Sequence, residues 1–172
     1  MKFTILPTFN PVFREKRTDP SEKIETFFSD EIENDNGIGA RKIGLINQDN
    51  KELVGNISFD YDFDDHSKMI RVRSVGVDHR YQRHDLAMKL YRRLIDIAKE
   101  KELDGIKSDT TVQGGAIASW KKLKEEGYDL SVLPELQEKF DAFCQAYNEG
   151  KYFKELLTSP AGYSVFNIKF KR

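Results

Sequence analysis

Where a strand runs into the first turn of a helix, free backbone N–H groups and the positive end of the helix dipole together attract anions. Residues 75–87, VGVDHRYQRHDLA, have that form. Met69, Ile70, Val72, Val75 and Val77 make a β-rich approach, and Leu86, Leu90, Leu94 and Ile97 follow on one helical face. The turn itself, Gln82-Arg83-His84-Asp85-Leu86-Ala87, is the candidate phosphate loop. Eight basic residues between His66 and Arg93 (Lys68, Arg71, Arg73, Arg80, Arg83, Lys89, Arg92, Arg93) face two acids there, Asp78 and Asp85, and such a basic rim suits a phosphorylated ligand. A second reading uses the same helix start: Asp85 is its N-cap, worth about 1 kcal/mol, and no phosphate binds.

Other side chains carry less. Asp60-Tyr61-Asp62-Phe63-Asp64-Asp65-His66 alternates carboxylates like the start of a calcium loop. Its sixth position is Asp65 rather than glycine and its twelfth is Arg71 rather than glutamate, which excludes an EF-hand. A solvated hairpin turn and an acidic lip that attracts a cationic acceptor both fit. His66, His79 and His84 have no zinc-ligand spacing with Cys144, and no Ser-His-Asp arrangement has local support, so no metal is expected.

The elements that must position these groups follow from periodicity and turn residues. Residues 2–6 are a short strand candidate. Thr18-Asp19-Pro20 predicts a helix start, with Ile24, Phe27 and Phe28 on one face, ended by Asn34-Asp35-Asn36-Gly37. Residues 41–47 and 52–61 pair as a hairpin around Gln48-Asp49-Asn50-Lys51, and after a polar turn at 60–67 the strand 69–77 returns. A helix runs over about 85–102, and a short strand over 106–109. Thr110 or Thr111 then caps a helix bearing Ala116, Ile117, Trp120 and Leu123, which Gly127 stops. Residues 128–133 are a strand. Pro134 opens a helix with Leu136, Phe140, Phe143 and Tyr147 on one face, Gly150 interrupts it, and 151–157 add a helical turn or two. That apolar face must pack on this domain or on a partner such as a second copy. Residues 163–170 close as a strand. A meander followed by alternating helices and strands predicts mixed α/β.

The 172 residues suffice for one domain with a real core, and 38% hydrophobic against 33% charged residues place the chain among folded globular proteins. A net charge of −1 argues against nucleic-acid binding driven by bulk charge, while leaving a local basic patch open. The single Cys144 cannot form an internal disulfide, which suits a reducing, cytoplasmic setting. No apolar run approaches the roughly 20 residues of a membrane span, and residues 1–6 are too short and mixed for a signal peptide.

The strand, loop and long helix resemble the GNAT superfamily of N-acetyltransferases, which grips acetyl-CoA with a strand, then Q/R-x-x-G-x-G/A, then a helix. Gln82, Arg83, His84, Asp85, Leu86 and Ala87 occupy that motif, with Tyr81 before it and Val75 and Val77 in the strand. Asp85 replaces the central glycine, which in the family lets backbone approach the phosphates. Residues 110–128, TTVQGGAIASWKKLKEEGY, are similar to the family's N-x-x-A…Y-x-x-x-G-F/Y region beside the pantetheine arm. Gln113 stands where asparagine is usual, and Ala116, Gly127 and Tyr128 match. Trp120 stands where many members have the tyrosine that protonates the leaving thiolate, and indole N–H is not a useful acid. Trp120 is either a core residue at helical spacing or a wall for the thiol arm. Ser108-Asp109 followed by Trp120 looks like a divergent branch often carried by phages.

The resemblance implies a GNAT-like mixed, mostly antiparallel central sheet flanked by helices, a single domain over 1–172 with a helical insertion at about 134–160. It implies an acetyl-CoA-dependent N-acetyltransferase acting by direct transfer to an amine on a small molecule or protein. Such transfer needs a deprotonated amine placed near the thioester. Asp109 is the best carboxylate for that, with Ser108 and His84 behind it, and Asp109 also reads as a helix cap before Thr110 and Thr111. The alternatives are a catalytically inactive GNAT-fold binding or inhibitor protein, favoured by Asp85 and Trp120, and a GNAT-like enzyme acting on nucleic acid or a nucleotide through the 68–93 basic run.

Overall fold

The computed structural model describes residues 24–35, 38–82, 85–151 and 156–171, with the side chains of 26–35 and 38–40 outside the description. The expected strand at 2–6 and the caps at Thr18, Asp19 and Pro20 lie outside the described residues. Two compact units are present: one takes the chain to Asp60 and then Arg73–Ile97, the other Tyr61–Val72 and Ala98 onward.

The first unit is built on β1 (Ile24–Asp35), β2 (Ile38–Asn47), β3 (Leu53–Phe63) and β4 (Lys68–Val77), hydrogen-bonded in that order, and on α1 (Leu86–Glu100). The ends of β3, β4 and α1 run on into the second unit. β1–β2 and β2–β3 are antiparallel. Asn47 Oδ1 accepts from the Asp49 N–H at 3.0 Å and Asn50 Oδ1 from that of Glu52 at 2.9 Å, so asparagine side chains shape the expected hairpin loop. Ile43, Leu45, Val54, Ile57 and Phe59 of the sheet are fully buried, as are Leu90, Leu94 and Ile95 of α1.

The helix expected to carry Ile24, Phe27 and Phe28 is instead strand β1, with Phe27 opposite Gly44 and Phe28 opposite Ile43. Three apolar residues cannot separate a helical from an extended pattern, and Thr, Phe and Ile favour the sheet once β2 offers its edge.

The second unit holds β5 (Gly105–Lys107), β6 (Thr111–Val112), α2 (Gly114–Glu125), β7 (Leu130–Val132), α3 (Gln137–Asn148), β8 (Leu157–Thr158) and β9 (Phe166–Lys169). Its strand order is β4-β5-β9-β7, and β6 pairs separately with β8. β4–β5 is parallel, while β5–β9 and β7–β9 are antiparallel. A side chain at Gly105 would stand 1.9 Å from the Ile168 carbonyl oxygen, so glycine is required there. The core stacks Trp120 on Phe166 at 5.5 Å, with Phe140 edge-on to Phe166 at 5.2 Å. The apolar face of the expected 134–147 helix therefore packs within this unit through Leu136, Phe140 and Phe143, and Tyr147 stays exposed. α2 does not start at Thr110 or Thr111: Thr111 lies in β6, and Gln113 precedes the helix without a side-chain cap. Of the helical turns expected at 151–157, Leu157 is in strand β8 and 152–155 lie outside the described residues.

The architecture is mixed α/β, a mostly antiparallel sheet flanked by helices, as expected. Among the described residues no helix is long and apolar enough to cross a membrane.

Candidate functional site

In the first unit β4 is the last strand, and it delivers Val75 and Val77, both half-buried, to the loop. Asp78 turns the chain away from the sheet. Its N–H donates to the Val54 carbonyl at 2.7 Å, and its carboxylate is fully buried. That carboxylate accepts from Arg80 three times, from the backbone N–H at 3.0 Å, Nε at 2.9 Å and Nη2 at 2.6 Å. Burial alone would raise the Asp78 pKa, but the hydrogen bonds and charge of Arg80 hold it below the ordinary carboxylate value. A 3-10 turn, His79–Tyr81, follows, and the buried Tyr81 hydroxyl accepts from Asn47 Nδ2 at 3.2 Å. The Gln82 side chain donates back to the Val77 carbonyl at 3.1 Å, tying the loop to the strand end.

Arg83 and His84 lie outside the described residues. Asp85 has φ +60°, the left-handed region that glycine enters freely and that aspartate tolerates better than most residues. An N-cap typically has extended φ and ψ, so Asp85 stands at the cap position in a non-standard conformation. The Asp85 carboxylate lies 3.5 Å from Arg92 Nη2, and its carbonyl accepts from the Lys89 N–H at 3.3 Å. Leu86 is buried and anchors the first turn of α1, while Ala87 is half-buried. The N–H groups of residues 86–88 precede the first possible intrahelical acceptor.

The basic run is less free than its linear spacing implied. Arg73 Nε pairs with Asp60 Oδ2 at 2.8 Å, Arg71 pairs with Asp62, and Arg80 is held by Asp78. Asp60 and Asp62 sit on β3, so a count confined to 66–93 could not include them. Lys107 Nζ also reaches Asp62 at 2.6 Å. Its hydrogen bond lowers the Asp62 pKa against a smaller opposing effect of burial, and the charges of Lys107 and Arg71 add to it. The polar turn expected from Asp60 thus begins only at Asp64, whose Oδ1 accepts from the His66 and Ser67 N–H groups, each at 2.7 Å. Cross-strand ion pairs replace both the solvated turn and the acidic lip at Asp60 and Asp62.

In the second unit Ser108 is 1% exposed. Its hydroxyl donates to the Asp109 carbonyl at 2.8 Å and accepts from the Phe166 N–H at 2.9 Å. Asp109 is half-buried, and its Oδ1 accepts from the Thr110 N–H at 2.8 Å. Trp120 is 1% exposed in the core against Phe166, and Gly127 ends α2 at φ +100°. The paired Asp78 and Arg80 were the main features missed from sequence. An acid two residues before an arginine at a strand end was the available signal.

Solved structures similar to part of this chain include Arabidopsis thaliana NAA60 in complex with a bisubstrate analogue, at 13% identity over 57% of this chain and 64% of that one, TM-score 0.46. The same protein in complex with acetyl-CoA matches at 14% identity over 49% and 62%, TM-score 0.42. A Trypanosoma brucei acetyltransferase matches at 18% identity over 49% and 60%, TM-score 0.44. This chain spans about three fifths of the length of these structures. No curated protein matches it at the significance required. The model of the acetyltransferase (GNAT) family matches residues 5–124, more than half of the chain and including the whole 75–87 stretch, and the chain belongs to that family.

Proposed function

We propose that the protein is an acetyl-CoA-dependent N-acetyltransferase that transfers the acetyl group directly to an amine. Family membership supports acetyl transfer in general. The observation that carries the reading is the backbone of Asp85, which takes the left-handed conformation of a glycine at the entrance to α1. The donor set fits a pyrophosphate: first-turn N–H groups at the positive end of a helix dipole, on a loop closed by Gln82.

Acetyl-CoA supplies an acetyl thioester open to attack by an amine. The chain's residues hold and orient it. The first turn of α1, after Gln82, Arg83, His84 and Asp85 and including Leu86 and Ala87, takes the phosphates. The β4 backbone around Val75 and Val77 guides the pantetheine arm. Asp109 is assigned the acceptor proton. Ser108, engaged at both the Asp109 carbonyl and the Phe166 N–H, holds that carboxylate's strand end in place. The acceptor is an amine on a small molecule or a protein, in a cytoplasmic setting where Cys144 stays a thiol.

Titration with acetyl-CoA should raise the melting temperature, since a ligand bound only by the folded state stabilises it. Release of free CoA thiol should then follow addition of an amine. No stabilisation at millimolar acetyl-CoA would overturn the reading. A second reading, a GNAT-fold binding or inhibitor protein without catalysis and of phage type, is favoured by Trp120, whose ring is buried against Phe166. Acetyl-CoA binding without thiol release across an amine panel would select it.

A further inference from the structure

Asp85 presents a specific problem at a phosphate loop. Aspartate is among the strongest N-caps, and a cap takes the same first-turn N–H groups that an incoming phosphate needs. An unrestrained Asp85 carboxylate would therefore be an intramolecular competitor for those groups. In the structure it does not lie there as a standard cap. Its backbone is left-handed at φ +60°, and the carboxylate is paired at 3.5 Å with Arg92, which projects from the next turns of α1. Both side chains are about half exposed, at 49% and 43%, so the pair can rearrange. Arg92 also borders an open groove with Lys89, Arg93, Glu25 and Asp96, so its charge is set among both signs.

We propose that Arg92 is a positioning residue for the cofactor: by holding the Asp85 carboxylate away from the start of α1, it keeps the first-turn N–H groups available to a phosphate. The inference rests on the acetyl-CoA reading above. It assigns Arg92 a role exerted through Asp85, which distinguishes it from a cation that meets phosphate directly. A direct phosphate contact acts whatever stands at position 85, whereas a restraint on Asp85 matters only while Asp85 is present.

The test is calorimetric titration of CoA into the full chain carrying Arg92→Gln, Arg92→Lys, Asp85→Gly, or Asp85→Gly with Arg92→Gln. In the otherwise native protein Arg92→Gln should weaken CoA roughly fivefold, the competition expected from one released capping carboxylate. In the Asp85→Gly background the same change should cost less than about twofold, the scale left to an exposed charge at a distance. Arg92→Lys, which keeps a cation for Asp85, should restore most of the affinity. Melting temperatures read alongside separate a binding effect from a folding one. Equal losses in both backgrounds, or none in either, would overturn the inference while leaving acetyl-CoA binding intact. Absence of CoA binding in the native protein and in Asp85→Gly would overturn the functional reading itself, and the role of Arg92 with it.

Discussion

The loop entering α1 and the segment from Ser108 to Trp120 use their polar groups in opposite ways. In the first, Gln82 and Asp85 are exposed, and the loop's chemistry is carried by backbone: a left-handed residue and the N–H groups of a helix start. In the second, hydroxyl, carboxylate and indole are engaged by protein groups. Ser108 joins β5 to β9, Asp109 accepts from Thr110, and Trp120 stacks on Phe166. Backbone chemistry survives the loss of a motif glycine provided the conformation is kept. An indole buried against Phe166 offers no acid from its side chain. The contrast explains why the binding half of the family pattern is the better supported half of the proposal.

The strongest way to break that contrast is Trp120→Ala. It should cost about 3–5 kcal/mol, because it empties space beside Phe166. For a chain of this size the melting temperature should fall by about 10 °C. Weakened CoA binding with an unchanged melting temperature would instead make Trp120 a wall for the thiol arm. Asp78→Asn comes next, at about 3 kcal/mol, because Arg80 loses the carboxylate that grips it. This variant also has a pH signature. The Asp78 pKa is lowered in the fold, so its contribution is fully present above the ordinary value of 3.8 and is lost as pH falls below it toward the lowered folded value. Acid denaturation profiles should accordingly be shallower in Asp78→Asn below pH 3.8; parallel profiles would contradict the assignment.

Ser108→Ala should destabilise by about 1–3 kcal/mol, since the Phe166 N–H is left without its acceptor. Chemical denaturation would measure it. A loss of thiol release with undiminished stability would move Ser108 from support to catalysis. The smallest expected effect on stability is that of Asp85→Gly, a few tenths of a kcal/mol, because glycine is a tolerable residue at a helix start. CoA should nevertheless bind more tightly, as a carboxylate beside the phosphates is removed. Asp85→Asn separates charge from bulk. If the native protein binds as tightly as Asp85→Gly, the carboxylate is fully neutralised where it stands.

Much of this was legible in residue order. Local signals are strong where one element supplies both pattern and punctuation. Gln48-Asp49-Asn50-Lys51 marks its hairpin because asparagine side chains bond the turn backbone, and the Leu86, Leu90, Leu94 and Ile97 spacing marks α1 because a 3.6-residue period puts them on one buried face. Gly127 could be read as a helix stop because only a residue without a Cβ enters φ +100° without strain. The family pattern around Gln82 and Ala87 is likewise a local arrangement of strand, turn and helix.

Tertiary structure alone decided what depends on partners distant in sequence. Ile24, Phe27 and Phe28 became strand because β2 offered an edge that their spacing could not announce. Arg71 and Arg73 left the basic rim because Asp62 and Asp60 face them from β3. Ser108 and Trp120 are engaged within the protein because Phe166, far along the chain, meets both. A sequence states which charges and rings exist and how they repeat along an element. Whether a charge is neutralised or a ring buried depends on which strand or helix is folded against it, and that pairing is set by burial of the whole core rather than by any neighbouring residue.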